Sequence, residues 1–176
     1  MAVRDEGSMT PGPWMMGTSC SFRRILGRDG QGVCVPVPVY TRNGDDSGIS
    51  LPNGGIDGPD AQVMAMAPMM VSTLEKALDT GRIPQEAVHE LQTVLQSIYQ
   101  KAHLAPMTPG PWHWQDSAKG PQLVNAEGRV VCTSTEQASD GHPDLSFPGG
   151  GFKGVDAQLM VAAPTLRAYC LQFGLQ

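Results

Sequence analysis

The chain repeats itself. Met9-Thr10-Pro11-Gly12-Pro13-Trp14 recurs as Met107-Thr108-Pro109-Gly110-Pro111-Trp112, a shift of 98 residues that also pairs Asp29-Gly30 with Glu127-Gly128 and Val33-Cys34 with Val131-Cys132. A second block, Ser50-Leu51-Pro52-Asn53-Gly54-Gly55-Ile56-Asp57-Gly58, matches Ser146-Phe147-Pro148-Gly149-Gly150-Gly151-Phe152-Lys153-Gly154. It runs on as Asp60-Ala61-Gln62-Val63-Met64-Ala65-Met66-Ala67-Pro68 against Asp156-Ala157-Gln158-Leu159-Met160-Val161-Ala162-Ala163-Pro164, now at a shift of 96. Two ordered blocks of this kind constrain the fold more than any composition does: whatever one unit forms, the other should form again.

Each unit reads as strands followed by helix. Proline fixes φ and lacks a donor, so Thr-Pro-Gly-Pro is a rigid lead-in that sets Trp14 or Trp112. A strand over Ser21–Gly27, a turn at Asp29-Gly30 and a second strand over Gly32–Tyr40 follow. In the second copy these become Gln122–Asn125, Glu127-Gly128 and Arg129–Thr135. An Asp-Gly pair between apolar runs is a hairpin signal. Pro36 and Pro38 alternate with valines, which predicts an edge strand. A polar loop then reaches the glycine-rich segment. Asp60 and Asp156 read as helix N-caps, and Pro68 and Pro164 should end or kink a first short helix. The helix beyond Pro68 carries Met69, Met70, Leu74 and Leu78 and stops at Gly81; its counterpart carries Leu166, Tyr169, Cys170 and Phe173 and stops near Gly174. Between the copies, residues 84–103 place Val88, Leu91, Val94, Leu95 and Ile98 on one helical stripe, with Pro84 at the first position and Leu104 closing the segment. The expected fold is α+β: two tandem repeats, 9–81 and 107–176, each an antiparallel hairpin or meander followed by short helices, with an extra long helix within 82–105. One unit of about 60 residues buries little surface by itself, so the copies should pair as an internal pseudo-dimer, or the chain should associate as a homo-oligomer.

Charge and composition narrow the function. With 12 Lys plus Arg against 17 Asp plus Glu, a net charge of −5, the chain is poorly suited to a nucleic-acid polymer, whose affinity comes from neutralised phosphates. Arg23, Arg24 and Arg28 form local basic spots that suit a small anion better than a duplex. No apolar run approaches the roughly 20 residues that span a bilayer. No secretory signal opens the chain, and a cytoplasmic location in a host cell is expected. Cys20, Cys34, Cys132 and Cys170 lack zinc spacing and read as reduced, buried thiols. No metal and no cofactor are expected.

The two motifs carry a resemblance. Thr-Pro-Gly-Pro-Trp at 10–14 and 108–112, followed by Asp-Ala-Gln-x-Met-x-x-Ala-Pro at 60–68 and 156–164, resembles a group of small phage and prophage proteins. Those open on the first motif and later carry Asp/Asn-Ala-x-Leu-Ile-x-Ala-Ala-Pro-x-Leu. Usual members are similar to a single copy. This chain departs by duplication, by the glycine-rich loop before each Asp-Ala, by Met64 and Met160 in place of Ile, and by Met66 in place of Ala. The resemblance implies a phage origin and a hairpin-plus-helix fold, and no reaction.

Several residues are candidates for chemistry. Gly54, Gly55 and Gly58, and Gly150, Gly151 and Gly154, run into helix N-termini, where free N–H groups favour a phosphate; glycines required for positive φ in a turn are the alternative. Trp14, Trp112 and Trp114 suit either stacking on a nucleobase or sheet cover, the second fitting the rigid lead-in before Trp14 and Trp112. Met64, Met66, Met69 and Met70 suit adaptable core packing or an oligomer interface. His89, His103, His113 and His142 form no catalytic constellation with a nucleophile; His142-Pro143-Asp144 is the one tight His/Asp cluster. The expected function is therefore non-enzymatic binding in a phage counter-defence role. The chain would act as a sponge for a small phosphorylated immune signal, a cyclic oligonucleotide or an ADP-ribose derivative, held by the glycine-rich loops, Trp114, Arg23 and Arg24. A protein-binding inhibitor of a host defence protein and a hydrolase of such signals are the alternatives.

Overall fold

A computed structural model describes residues 10–19, 22–41, 44–100, 107–118, 120–134, 144–151 and 153–175. Met9, Cys20, Ser21, His103, Leu104, His142, Pro143 and Phe152, all used in the sequence reading, lie outside them. The protein is mixed α and β, with two four-stranded antiparallel sheets and three α-helices among the described residues.

The first sheet is a meander of β1 (Met15–Ser19), β2 (Phe22–Leu26), β3 (Gly32–Thr41) and β4 (Gly44–Ser50), in that spatial order. The turn from β2 to β3 closes through Gly27 N–H to Gln31 O (2.9 Å) and Gly30 N–H to Gly27 O (3.0 Å), with Gly30 at a φ of 76°. Only glycine takes that conformation at no steric cost. The second sheet repeats the order with β5 (Trp112–Ser117), β6 (Gly120–Asn125), β7 (Val130–Ser134) and the short β8 (Leu145–Ser146). Its turn closes through Asn125 N–H to Arg129 O (3.0 Å) and Gly128 N–H to Asn125 O (3.0 Å), with Gly128 at 79°.

The strand expectations change in several places: β1 and β5 directly follow the lead-ins where no strand was expected, and β8, like β4, falls in the stretch expected as a polar loop. β4 falls where a polar loop was expected, because pairing with the whole outer part of β3 supplies what Gly44-Asp45-Asp46-Ser47-Gly48 lacks in strand propensity. β3 is an inner strand by order, and yet the edge logic holds locally. It pairs with β2 only at Cys34 and Gly32, so Pro36 and Pro38 sit where β4 is the paired neighbour and the absent N–H groups break no second ladder.

The helices are α1 (Pro59–Asp79), α2 (Gln85–Tyr99) and α3 (Val155–Gln172). α1 and α3 run unbroken through Pro68 and Pro164, against the expectation of a break. A mid-helix proline costs about 3 kcal/mol in isolation, but helix stability in a folded chain comes mostly from its packed face, and here both rings are packed. A Cβ on Gly110 would lie 2.8 Å from Pro68 Cγ, and one on Gly12 3.0 Å from Pro164 Cγ. Each proline is thus seated on the lead-in that precedes the other sheet. α1 lies along α3 and also touches β5, while β4 contacts β6 and β7. The shared core includes Ile25, Val33, Met64, Val71 and Leu74 from the first half and Leu123, Val131, Leu159, Met160 and Leu166 from the second, all fully buried.

Both long helices end alike. Gly81 (φ 67°) donates to Leu78 O and Arg82 to Ala77 O; Gly174 (φ 62°) donates to Leu171 O and Leu175 to Cys170 O. This paired closure on a left-handed glycine satisfies carbonyls the last turn would leave open. α2 presents Ala87, Leu91, Leu95 and Ile98 inward, with Val88 and Val94 partly buried; Pro84 is its cap residue rather than its first helical one. No helix is long and apolar enough to cross a membrane among the described residues.

Candidate functional site

The lead-ins are anchored by carboxylates. Asp60 is buried in the first turn of α1, and its two oxygens accept from Thr10 N–H (2.6 Å) and Thr10 Oγ1 (2.5 Å). Asp156 does the same for Thr108, at 2.8 and 2.5 Å. Neither aspartate is an N-cap: the caps are Gly58 and Gly154, and no side-chain cap bond forms. A carboxylate turned back to the lead-in holds it in place, and each threonine carbonyl in turn accepts the following indole. Trp14 Nε1 donates to Thr10 O (2.9 Å) and Trp112 Nε1 to Thr108 O (3.0 Å), with both rings 4% exposed. These tryptophans are core residues. Burial raises the pKa of Asp156 from its ordinary value, opposed by the Thr108 hydroxyl and amide and by the charge of Arg129.

The glycine-rich loops are closed turns. Gly55 N–H donates to Leu51 O, Gly58 to Gly55 O, Gly150 to Pro148 O, Gly151 to Phe147 O and Gly154 to Gly151 O. Those five amides are used inside the loops, so they do not form the cradle of free donors that a phosphate needs. Gly54, Gly55, Gly150 and Gly151 have positive φ, and a Cβ on Gly58 would lie 1.9 Å from Asn53 O. The residue type is explained by the turn.

Trp114 is 9% exposed and donates through Nε1 to Ala61 O at 3.0 Å. Its ring is buried against α1, which corrects its reading as a stacking platform: an indole with its N–H spent and its faces covered has nothing to offer a base. Arg23 bonds Asp144 through its backbone N–H (2.6 Å) and through Nη1 as an ion pair, fastening β2 to the residue before β8. Arg24 is half-buried. The structure does not bring the glycine-rich loops, Trp114, Arg23 and Arg24 into either of the clefts described next.

The larger cleft, about 480 Å³, lies between the first lead-in and the C-terminal half of α3, lined among others by Pro13, Arg28, Glu90, Thr165, Tyr169 and Gln172. Its floor is the Gly12–Pro164 contact. Arg28 is set there by the turn: its N–H donates to Pro11 O (3.3 Å), and the preceding Gly27 packs so tightly that a Cβ would lie 2.5 Å from Thr10 Cγ2. α2 contributes Glu90, whose Oε1 accepts from Tyr169 Oη at 2.6 Å. Burial, and then Glu90, push the Tyr169 hydroxyl up to about 12, so it stays a donor at neutral pH. Tyr169 also stacks on Phe173, centroids 5.9 Å apart. Arg28 was visible in the sequence as a basic spot. Glu90, Thr165 and Gln172 carried no signal, because two helices distant in sequence, α2 and α3, bring them to the turn that carries Arg28.

A second cleft of about 290 Å³, between α1 and α3, is lined mainly by Met66, Met69, Met70, Cys170, Leu171 and Leu175, with Arg167 and Thr73. The methionine cluster is thereby divided: Met64 and Met70 are core, while Met66 and Met69 are 55% and 50% exposed. Cys34, Cys132 and Cys170 are free and buried, and burial with the neighbouring Cys34 pushes the Cys132 thiol up. Among the described residues, no three His, Cys, Asp or Glu are grouped as for a metal.

No family model, no curated protein and no solved structure matches the chain.

Proposed function

We propose that this is a non-enzymatic binding protein of phage origin that sequesters a small phosphorylated immune signal, a cyclic oligonucleotide or an ADP-ribose derivative, away from its effector. The observation that carries the reading is the 480 Å³ cleft with Arg28 on its wall. Its volume falls within the roughly 300–1,000 Å³ of small-molecule sites, and a guanidinium is the side chain best matched to phosphate oxygens. The phage origin rests on the resemblance of the two motifs alone. In this reading the chain is a fused pair of one unit, with the interdigitated lead-ins and helices supplying the burial a lone unit lacks. The meeting of Cys34 with Cys132, matched positions of the repeat, supports a pseudo-twofold between the sheets.

The test is a panel of cyclic oligonucleotides and ADP-ribose derivatives. Thermal stability is followed, then bound material is released by heat and identified. A ligand should raise the melting temperature by mass action and return chemically unchanged, and Arg28→Gln should abolish the shift. A modified product would replace sequestration by hydrolysis. A second reading, an inhibitor docked on a host protein, is favoured by the methionine-lined cleft and its exposed Met66, Met69 and Leu171, a flexible surface of the kind that adapts to partners.

A further inference from the structure

The chemistry of the larger cleft points to a particular ligand, and the inference rests on the sequestration reading above. Two charged groups of opposite sign line the same space, Arg28 from the β2–β3 turn and Glu90 from α2. Among the described residues no ion pair joins them. A ligand that engages both needs an anionic group at one end and paired N–H donors at the other, because an ionised carboxylate only accepts.

We infer that the cleft binds a guanine nucleotide unit, its phosphate on Arg28 and its base edge on the Glu90 carboxylate. Guanine presents N1–H and the 2-amino group side by side, which matches two carboxylate oxygens. Adenine presents a ring nitrogen acceptor beside its single amino donor, and that acceptor faces the carboxylate with like polarity. Tyr169 fixes the carboxylate: its hydroxyl donates to Oε1 at 2.6 Å, which orients the group and leaves Oε2 and the second lone pair of Oε1 to accept the two guanine donors. Thr165 and Gln172, on the same wall, offer hydroxyl and amide groups to the sugar. A space of about 480 Å³ admits one such nucleotide, whether free or as half of a cyclic dinucleotide. The fold itself engages the Tyr169 hydroxyl with Glu90 Oε1, the Tyr169 ring with Phe173, the Arg28 amide and the packed lead-in beneath.

The test is calorimetric titration of the full chain with 5′-GMP, 5′-IMP, 5′-AMP and guanosine. GMP should bind best. IMP lacks the 2-amino group and, losing one hydrogen bond to a charged group, should bind about tenfold more weakly, AMP weaker still, and guanosine should show the loss of the phosphate. Glu90→Gln keeps an acceptor for Tyr169 but puts an amide NH2 donor where Oε2 stood, and should bring GMP below the level of IMP; Arg28→Gln should bring it down to the level of guanosine. Melting curves of both variants check that each is folded. Equal binding of AMP and GMP, or a Glu90→Gln variant as tight as the parent, would overturn the guanine assignment while leaving phosphate binding in place. Panel ligands that bind at full strength in the Arg28→Gln variant would remove the cleft itself from the account. No binding of any mononucleotide, with panel signals still bound through Arg28, would overturn the guanine assignment alone.

Discussion

In one place the Pro11-Gly12-Pro13 lead-in rests on Pro164 of α3; in another the Pro109-Gly110-Pro111 lead-in rests on Pro68 of α1. The two contacts are built by the same residues in the same order, with the same Thr–Asp anchor and the same indole bond behind them. Their surroundings differ. By the sequence match, Arg28 corresponds to Ala126, Tyr169 to Thr73, Thr165 to Met69 and Gln172 to Lys76. The turn differs too: where Gly27 packs on Thr10, Asn125 bonds the amides of Glu127 and Arg129 through its side chain. What is shared between the halves holds the fold and floors the cleft with Gly12, Pro13 and Pro164, while the polar groups that line it are not shared. Binding chemistry is therefore sought in the differences.

The largest test of this division is truncation of the shared indoles. Trp14→Ala and Trp112→Ala should each cost about 3–5 kcal/mol in urea unfolding, and equally, since burial and hydrogen bonding are alike. A cost for one several-fold above the other would break the equivalence. Next come the seats of the prolines. Gly110→Ala and Gly12→Ala should each destabilise by roughly 1–3 kcal/mol through overpacking, with Gly110→Ala the worse because its added Cβ meets the ring at 2.8 Å rather than 3.0 Å.

How much of this was open to sequence reasoning follows the same division. Shared features announced themselves by recurring: the turns at Gly30 and Gly128 and the buried Trp14 and Trp112; the helix stops at Gly81 and Gly174 do not match in the repeat and were legible only as glycines after an apolar stretch. Their misreadings were also shared. Asp60 and Asp156 looked like caps because local pattern cannot show a threonine about 50 residues away, and Pro68 and Pro164 looked like breaks because local pattern cannot show the glycine beneath the ring. β4 was missed since its residues are strand-poor until β3 pairs with them. The cleft was the least legible part. Glu90 and Gln172 are ordinary exposed helix residues until the fold sets them beside Arg28.

Smaller effects sharpen the comparison where the halves part. Tyr169→Phe removes the bond to Glu90, and at this part-buried position it should cost about 0.5–1.5 kcal/mol; Thr73, its match, has no such role to lose. The smallest effect is on pH dependence. Because burial raises the pKa of Asp156 in the folded protein, the native state holds more protons there than the unfolded chain. Its contribution therefore falls as pH rises from the ordinary carboxylate range through the raised value, and is constant above it. Asp156→Asn, which still accepts from the Thr108 amide, should flatten that part of the stability profile in denaturant titrations from acid to neutral pH. An unchanged profile would place the slope elsewhere.

The central claim, a single binding cleft whose polar lining comes from residues the two halves do not share, is tested most directly by the stoichiometry of binding. Equilibrium dialysis of the full chain against the panel ligand giving the largest thermal shift should give one ligand per chain, and none in the Arg28→Gln variant at the same concentration. Two ligands per chain, or one that persists without Arg28, would contradict the claim and return attention to features present once in each half.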